Sequence, residues 1–442
     1  MRKPTENMKI FADRRAALAA KIKGSAMIVA SHPDYIRNND VHHSYRQDSN
    51  LYYLTGFEEP ETILLFRPGM TPETVMFVRE KNIERETWDG FRYGPEGVEK
   101  EFRADKAYPI SEFEKVAADL LRGVDSLYYR FYKNPEVDKK IETVLQAHKT
   151  SYGRSGFGLL TVEDADAVLG EMRIKKSESE IANIRKACEL SAEAHVELMK
   201  YTRPGMNERE AHGYFMYQAM KRGAAREGYG GIFAGGPNAT TLHYTFNDQV
   251  LKSGDLFLVD AGGEHNYFTG DITRTFPVNG KFTEAQAEVY EGVLNVQKHL
   301  HAMVKPGLPF QTLQETTISM LTDLMLELGL LTGRKDDIIK SLEYKRYYPH
   351  GVSHYLGMDV HDAGFYFSKS NEPRPLEENM VFTIEPGLYI PANDNTVAAE
   401  YRGIGIRIED NVRVTHNGSE NMTVKAVKDI SDMEKIIGSY HR

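Results

Sequence analysis

Cysteine and tryptophan are almost absent from this 442-residue sequence, since Cys188 and Trp88 are the single residue of each type. One cysteine excludes an intramolecular disulfide and also a cage of thiolate ligands around zinc. A chain with so little cysteine is typical of a reducing compartment. We therefore expect a cytoplasmic protein.

Long apolar runs are also missing, and none reaches the roughly 20 residues that a membrane helix requires. Residues 1–30 contain no unbroken apolar stretch of signal-peptide length, because Lys21 and Lys23 interrupt them. Lys and Arg are scattered along the chain, and the formal net charge is −9. These features predict that neither a membrane nor a nucleic acid is the main partner.

The composition that remains is globular, with 41% hydrophobic and 27% charged residues. Buried-strand patterns such as Ala26–Ala30 and Thr74–Val78 alternate with helical patterns in the first part of the chain, which indicates an α/β unit. The turn-rich stretch 151–158 then indicates a domain boundary soon after it. We predict an N-terminal domain at residues 1–172 and a second domain at residues 173–442.

The second domain contains an internal repeat of two helices followed by strands. Pro-Gly corners at residues 203–206 and 305–308 end the first predicted helix of each half. A hydrophobic strand in each half then delivers one carboxylate just before a turn, Asp260 in the first half and Glu385 in the second. Such a duplication predicts two halves about a pseudo-two-fold axis, with both carboxylates near the common centre.

Each half also offers a second carboxylate. Asp271 lies where a hairpin returning from Asp260 would place it, and Gly262 and Gly263 are suitable turn residues for that hairpin.

In the second half, Glu409 lies on an alternating strand and shares one face with Gly405 and Arg407. An acidic residue on this glycine-lined face can approach a metal closely, and Arg407 could pair with carboxylates and hold their orientation. His354, which follows His350 at the end of a short glycine-containing stretch, is the candidate nitrogen ligand.

These residues form an oxygen-rich set of four carboxylates and one imidazole: Asp260, Asp271, His354, Glu385 and Glu409. The set suits Mn²⁺, Co²⁺ or Zn²⁺ better than Cu⁺ or iron–sulfur chemistry. Four carboxylates neutralise two divalent cations, and a hydroxide that bridges metals about 3.5–4 Å apart is a competent nucleophile near neutral pH. Residue type and spacing alone leave structural interpretations open, because Asp260 could cap a turn and His354 could be a core histidine bonded to backbone.

Taken together, the motifs resemble those of the Xaa-Pro aminopeptidases (aminopeptidase P) of the creatinase–aminopeptidase–prolidase family, and in particular its bacterial members. The resemblance covers essentially the whole chain. The stretches that carry it are residues 45–50, 53–61, 243–245, 259–262, 270–276, 350–354, 359–362, 383–389 and 401–410. It implies a creatinase-like α/β N-terminal domain followed by a duplicated "pita-bread" α/β catalytic domain.

The resemblance also implies roles for individual residues. The five candidates above fall on the family's ligand positions, with two Mn²⁺ as the expected ions and Co²⁺ or Zn²⁺ as alternatives. A hydroxide bridging the metals would attack the first peptide bond, with Glu385 as general base. His361 and His243 would hold the substrate and stabilise the tetrahedral intermediate, His350 would line the same pocket, and Arg407 would bridge acidic groups behind the metals.

The implied substrates are peptides with proline in second position, which lose their first residue. Tyr389 and the three histidines are candidate walls of the proline pocket. The family's bacterial members are tetramers, so we expect a homo-oligomer (tetramer or dimer) in which Trp88 lies near a neighbour's active site; an ordinary half-buried tryptophan is the alternative. The loop of residues 364–376 is longer than the usual bacterial pattern, and whether Lys369 or Arg374 meets the far end of the substrate stays open.

Four other functions compete with this interpretation. Prolidase is the nearest, because it shares all five ligands and differs in acting on Xaa-Pro dipeptides, but the first-domain motifs favour the aminopeptidase. Methionine aminopeptidase normally lacks so large an N-terminal domain, and a creatinase-like hydrolase would not need this metal set. A non-catalytic pita-bread scaffold is the remote alternative, since such relatives typically lose ligands and none is missing here.

Overall fold

The computed structural model describes residues 7–158 and 161–441, and the chain divides into two compact units, Met1–Met172 and Arg173–Arg442. The first six residues of the expected N-terminal domain lie outside the described part. No helix among the described residues is long and apolar enough to cross a membrane. Both units combine helices with strands, so the α/β prediction is confirmed.

The first unit is built on one mixed sheet of six strands. The strands of this unit are β1 (Ala26–Ala30), β2 (Ile36–Asn38), β3 (Val41–His42), β4 (Ile63–Phe66), β5 (Thr74–Val78), β6 (Lys106–Pro109), β7 (Ser126–Tyr128) and β8 (Thr161–Glu163). The helices are α1 (Met8–Lys21), α2 (Ser49–Thr55), α3 (Ile83–Asp89), α4 (Gly94–Phe102), α5 (Phe113–Leu120), α6 (Pro135–Tyr152) and α7 (Ala165–Ile174), the last of which contains the boundary between the units. The strand order is β6-β5-β4-β1-β7-β8, with β4 antiparallel to both of its neighbours and the outer pairs parallel. Buried apolar residues such as Ile28, Leu65 and Phe77 form its core, as expected for strands that are covered on both faces.

The second unit repeats one arrangement of helices and strands. Its helices are α8 (Glu178–Tyr201), α9 (Glu208–Lys221), α10 (Glu284–Met303), α11 (Gln311–Glu327), α12 (Lys335–Ser341) and α13 (Ile430–Ile436). Its strands are β9 (Arg226–Glu227), β10 (Ile232–Gly235), β11 (Leu256–Asp260), β12 (Gly263–His265), β13 (Phe268–Thr269), β14 (Thr273–Pro277), β15 (Val381–Ile384), β16 (Gly387–Tyr389), β17 (Gly405–Arg407), β18 (Asp410–Val414) and β19 (Ser419–Asn421). One half contributes the antiparallel sheet β10-β11-β14 and the other contributes β15-β18-β19. This is the duplicated pita-bread arrangement that the sequence predicts.

The first helix of each half begins with the same local signal. Ser177 and Glu180 form a reciprocal capping box at the start of α8, and Thr283 and Gln286 form one at the start of α10. Each box satisfies backbone N–H groups that a helix start leaves free, which stabilises the helix by about 1 kcal/mol. A serine followed three residues later by a glutamate, as at Ser177 and Glu180, is the sequence pattern of such a box.

A buried ion pair joins the two halves of the second unit. Arg274 on β14 and Asp410 on β18 are both 0% exposed, and the Arg274 Nη2 to Asp410 Oδ1 distance is 2.6 Å. The remaining donors of Arg274 reach backbone carbonyls, including those of Thr273 and Glu409. Because its charge is paired and its donors are satisfied, this arginine can lie in the core and fix one half against the other.

The hairpin that leads from Asp260 to Asp271 differs from the prediction. Gly262 and Gly263 do not form its reversal; Gly263 opens strand β12, and the chain turns at Asn266 and Tyr267, whose φ angles are 48° and 69°. Two consecutive residues with positive φ give the two-residue turn that matches the twist of an antiparallel pair. Gly262 is needed for another reason, because a Cβ there would lie 1.8 Å from the Gly270 carbonyl oxygen.

Candidate metal centre

The candidate site is a cavity of about 450 Å³ in the second unit. It gathers all five ligand candidates together with three histidines and one arginine that the sequence singles out. These lining residues are Asp260, Asp271, His354, Glu385, Glu409, His243, His350, His361 and Arg407. Tyr389 lies directly behind the wall, where its hydroxyl contacts His350 and Arg407. Trp88 belongs to the first unit, where it is 82% exposed on α3.

Strand ends deliver the acidic groups to this cavity. Asp260 is the last residue of β11, Glu385 directly follows β15, and Glu409 lies between β17 and β18. Asp271, His354 and Glu409 each present one ligand atom, and these three atoms lie within 4.8 Å of one another. Glu385 joins them through His354, because its Oε1 is 3.3 Å from the His354 Nε2.

His354 presents its Nε2 to the carboxylates because its other ring nitrogen is already used. The Nδ1 lies 3.1 Å from the Tyr355 carbonyl oxygen, to which it can only donate. The Nε2 then faces Asp271 at 3.4 Å and Glu385 at 3.3 Å. A backbone carbonyl that fixes the tautomer in this way is typical of metal-binding histidines.

Burial and the closeness of the charged groups shift the pKa values of the ligand candidates. Burial, together with the negative charge of Asp260, raises the pKa of Asp271 to about 6 although a hydrogen bond to His354 opposes the shift. Burial and the charges of Asp271 and Glu385 raise the pKa of Glu409 well above its usual range. Burial alone would lower the pKa of His354, but its contacts with Asp271 and Glu385 raise it well above the usual value. A cation bound among these groups would offset the buried negative charge that causes the shifts of Asp271 and Glu409.

Arg407 supports the cluster from behind. Its side chain is buried, its Nη2 donates to the Asp260 Oδ2 at 2.6 Å, and its Nη1 donates to the Tyr389 hydroxyl at 3.0 Å. Its Nε reaches the Thr273 hydroxyl at 3.2 Å, and that hydroxyl donates to the Glu409 Oε2 at 2.6 Å. One rigid guanidinium therefore orients one carboxylate directly and another through a threonine.

The histidines line the cavity beside the carboxylates. The His361 ring lies 4.4 Å from the His354 ring, and burial and the neighbouring His354 lower the pKa of His361. His350 is held by two contacts, with its Nδ1 2.8 Å from the Gly351 carbonyl oxygen and its Nε2 2.8 Å from the Tyr389 hydroxyl. His243 is exposed to the cavity and follows Leu242, which lines the same wall.

Two residues that the sequence interpretation missed also contact the ligands. The Tyr229 hydroxyl lies 2.7 Å from the Asp260 Oδ1 and 2.6 Å from the Asp271 Oδ1. The Asn411 amide pairs with the Asp271 backbone on both sides, accepting from its N–H at 2.9 Å and donating to its carbonyl oxygen. A tyrosine flanked by glycines and an asparagine two residues after Glu409 were the available signals, but neither indicates a partner so distant in sequence.

The donor set fits divalent cations. Three buried carboxylates and the half-buried Glu385 converge on one cavity, Arg407 binds one of them, and the Nε2 of His354 points toward them. Hard oxygen donors with one nitrogen suit Mn²⁺, Co²⁺ or Zn²⁺. A cavity with this donor set is suited to metal-assisted hydrolysis.

Comparisons with known families agree with this chemistry. The family model of metallopeptidase family M24 matches residues 182–416, which is more than half of the chain, and that of the aminopeptidase P N-terminal domain matches residues 11–128. The chain therefore belongs to metallopeptidase family M24.

Individual relatives match over nearly the full length. The Xaa-Pro aminopeptidase of Haemophilus influenzae is 37% identical over 97% of this chain and 96% of that protein. The structure of aminopeptidase PepP from Pseudomonas aeruginosa matches with a TM-score of 0.94 and 40% identity over 99% of both chains. A zinc-substituted Escherichia coli aminopeptidase P in complex with product matches with a TM-score of 0.93 and 36% identity, again over 99% of both chains. The family resemblance inferred from the motifs is thus confirmed.

Proposed function

We propose that this protein is an Xaa-Pro aminopeptidase, a metal-dependent hydrolase that releases the first residue of peptides whose second residue is proline. The observation that carries the proposal is the single cavity that collects five ligand-type side chains and three histidines on a duplicated M24 fold. Prolidase is less favoured, because the full-length relatives reported above are aminopeptidases.

We further propose that the site holds two divalent cations, with Mn²⁺ as the preferred ion and Co²⁺ or Zn²⁺ as alternatives. Asp260, Asp271, His354, Glu385 and Glu409 would hold them. When bound, such ions polarise a peptide carbonyl and lower the pKa of water. The zinc substitution of the Escherichia coli relative supports a centre that accepts more than one metal.

The side chains around the cations then handle protons and substrate. Glu385 is proposed to accept the proton of the attacking water. Burial opposes its ionisation, but the hydrogen bond and charge of His354 lower its pKa to about 2, so at neutral pH it is ionised and free to accept a proton. His361 has a lowered pKa, so at neutral pH it is uncharged and can donate a single N–H to the carbonyl under attack. His243 lines the same cavity and is proposed to hold the peptide.

Proline selectivity is proposed to arise at His350 and Tyr389. Both polar atoms of the His350 ring are used, one by the Gly351 carbonyl and one by the Tyr389 hydroxyl. The ring therefore offers an apolar face rather than a hydrogen-bond acceptor. That suits proline, whose amide nitrogen has no hydrogen to donate.

The proposal also covers the domain limits, the assembly and the compartment. We take 1–172 and 173–442 as the limits of the N-terminal and catalytic domains, a homo-oligomer (tetramer or dimer) as the assembly and the cytoplasm as the compartment. The exposure of Trp88 at 82% supports a contact with a second copy, near whose active site it would lie. Native mass spectrometry of the wild-type protein and Trp88→Ala tests the assembly and that contact together.

The decisive test is a competition between two substrates. The Mn²⁺-loaded protein is incubated with equimolar Xaa-Pro-Xaa tripeptide and Xaa-Pro dipeptide, and the products are identified by mass spectrometry. Release of the first residue mainly from the tripeptide supports the proposal. Preferential cleavage of the dipeptide identifies a prolidase, and cleavage of neither favours a non-catalytic scaffold.

A further inference from the structure

Glu208 is a completely buried carboxylate at the start of α9, and it lies outside the lining of the metal cavity. Its Oε1 accepts from the Gly235 N–H at 2.8 Å and from the Asn238 amide at 3.1 Å. Its Oε2 accepts from the Tyr244 hydroxyl at 2.8 Å and from the Gln249 N–H at 2.9 Å. Both oxygens are therefore saturated with donors.

All four donors belong to one stretch of chain, residues 235–249, which contains His243. Within the described part of the chain, no ion pair joins Glu208 to a cation, so hydrogen bonds and its place in the first helical turn stabilise the charge. Burying an acid without a cation is unfavourable unless every acceptor is satisfied. The carboxylate is consequently satisfied by the backbone path that residues 235–249 take in this structure, and it stabilises that path.

The contacts hold this stretch at its beginning, middle and end. Gly235 ends β10, Tyr244 directly follows His243, and Gln249 is bound twice because its carbonyl oxygen also accepts from the Glu208 N–H at 2.9 Å. The Tyr244 ring is buried, whereas His243 faces the cavity. The position of Tyr244 therefore determines where the His243 side chain enters the cavity.

We infer that Glu208 is a positioning residue that places His243 in the cavity, acting through Tyr244 and the two ends of its loop. The role of His243 on the peptide rests on the proposed function; the hold of Glu208 on the loop does not. Glutamine does not replace Glu208 adequately. The NH2 group of its amide would face the backbone N–H of Gly235 or of Gln249, and a backbone N–H cannot rotate away from a second donor.

The first test measures whether the effect of Glu208 passes through His243. Glu208→Gln should lower kcat/KM for an Xaa-Pro-Xaa tripeptide by about 10-fold to 100-fold, the scale expected when a catalytic group is displaced. The control is Glu210→Gln, an identical change at an exposed position of the same helix turn, which should leave kcat/KM unchanged. In a His243→Ala background, Glu208→Gln should lower kcat/KM little further, because there is no imidazole ring left to position. If the fold loss in kcat/KM of the double variant equals the product of the losses of the two single variants, the inference is overturned.

The second test does not depend on peptidase activity. Hydrogen–deuterium exchange read by mass spectrometry should be faster in Glu208→Gln for peptides covering residues 235–249, and unchanged there in Glu210→Gln. Tyr244→Phe removes only one of the four contacts and should give a milder form of both effects, which serves if Glu208→Gln does not fold. Unaltered exchange in this stretch would overturn the inference. A wild-type protein that cleaves no Xaa-Pro peptide would contradict the proposed function alone.

Discussion

Metal binding should release protons, because several of the ligand candidates hold protons in the metal-free protein. The pKa of Asp271 is raised to about 6, and the pKa values of Glu409 and His354 are raised well above their usual ranges. Each of these groups must lose its proton before it can bind a cation. Metal affinity should therefore fall as the pH is lowered toward and below about 6.

The size of the effect follows from the shifted pKa of Asp271. Its rise from 3.8 to about 6 corresponds to about 3 kcal/mol at roughly 1.4 kcal/mol per pKa unit. For an acid with a raised pKa in the folded state, this is a destabilisation that is present above about pH 6 and disappears as the pH falls from 6 toward 3.8. A cation removes the same destabilisation by neutralising the charge. Each displaced proton should weaken binding about 10-fold per pH unit below the pKa of its group.

Isothermal titration calorimetry of Mn²⁺ into metal-stripped protein measures this release. Repeating the titration near pH 6 in two buffers with different ionisation enthalpies gives the number of protons, which should be at least one per protein. Asp323→Asn alters a surface acid paired with Lys335 and should leave the release unchanged. Stoichiometric Mn²⁺ binding without proton release, or with equal affinity across the acid range, would show that Asp271, Glu409 and His354 are not the ligands.

Three substitutions test other parts of the site and its support. Glu385→Ala should abolish tripeptide turnover while circular dichroism stays native, and near-normal turnover would contradict the assigned centre. Arg407→Lys keeps the charge but loses the fork that holds Asp260, so calorimetry should show metal affinity lower by about 10-fold to 100-fold; an unchanged affinity would refute this orienting role. Arg274→Met leaves Asp410 without its main buried partner and should lower the free energy of unfolding in urea by about 3–5 kcal/mol, whereas a change below about 1 kcal/mol would mean that the pair contributes little.

The ligand candidates could be found in the sequence because strand geometry is local. Asp260 ends a hydrophobic strand and Glu385 directly follows one, and both side chains line the cavity. The capping box at Ser177 was also predictable, because its partner Glu180 is three residues away. Patterns with a period of two or of 3.6 residues contain this information without reference to tertiary structure.

The supporting residues could not be found in the same way, because their partners are distant in sequence. Tyr229 contacts Asp260 and Asp271 only after β10, β11 and β14 have paired. The error over Gly262 and Gly263 has a related cause. Glycine is required at position 262 by the close approach of the Gly270 carbonyl and at position 263 by the Leu190 side chain, whereas Asn266 and Tyr267 form the turn. From the sequence alone, a glycine that is needed for a turn cannot be distinguished from one that is needed for a close contact.

Duplication accounts for the paired carboxylates but not for the difference between the two sides of the centre. On the first-half side, Asp260 is bound by the Tyr229 hydroxyl and the Arg407 guanidinium, so its surroundings are oxygen-rich and already contain a positive charge. On the second-half side, Glu385 lies beside His354, which supplies a nitrogen donor. Because Asp271 contacts both Tyr229 and His354, it is the carboxylate through which the two unequal sides are coupled. The difference between the two sides therefore comes from residues outside the repeated strand ends, namely Tyr229, Arg407 and His354. For this reason the repeat alone indicated the paired carboxylates but not their unequal surroundings.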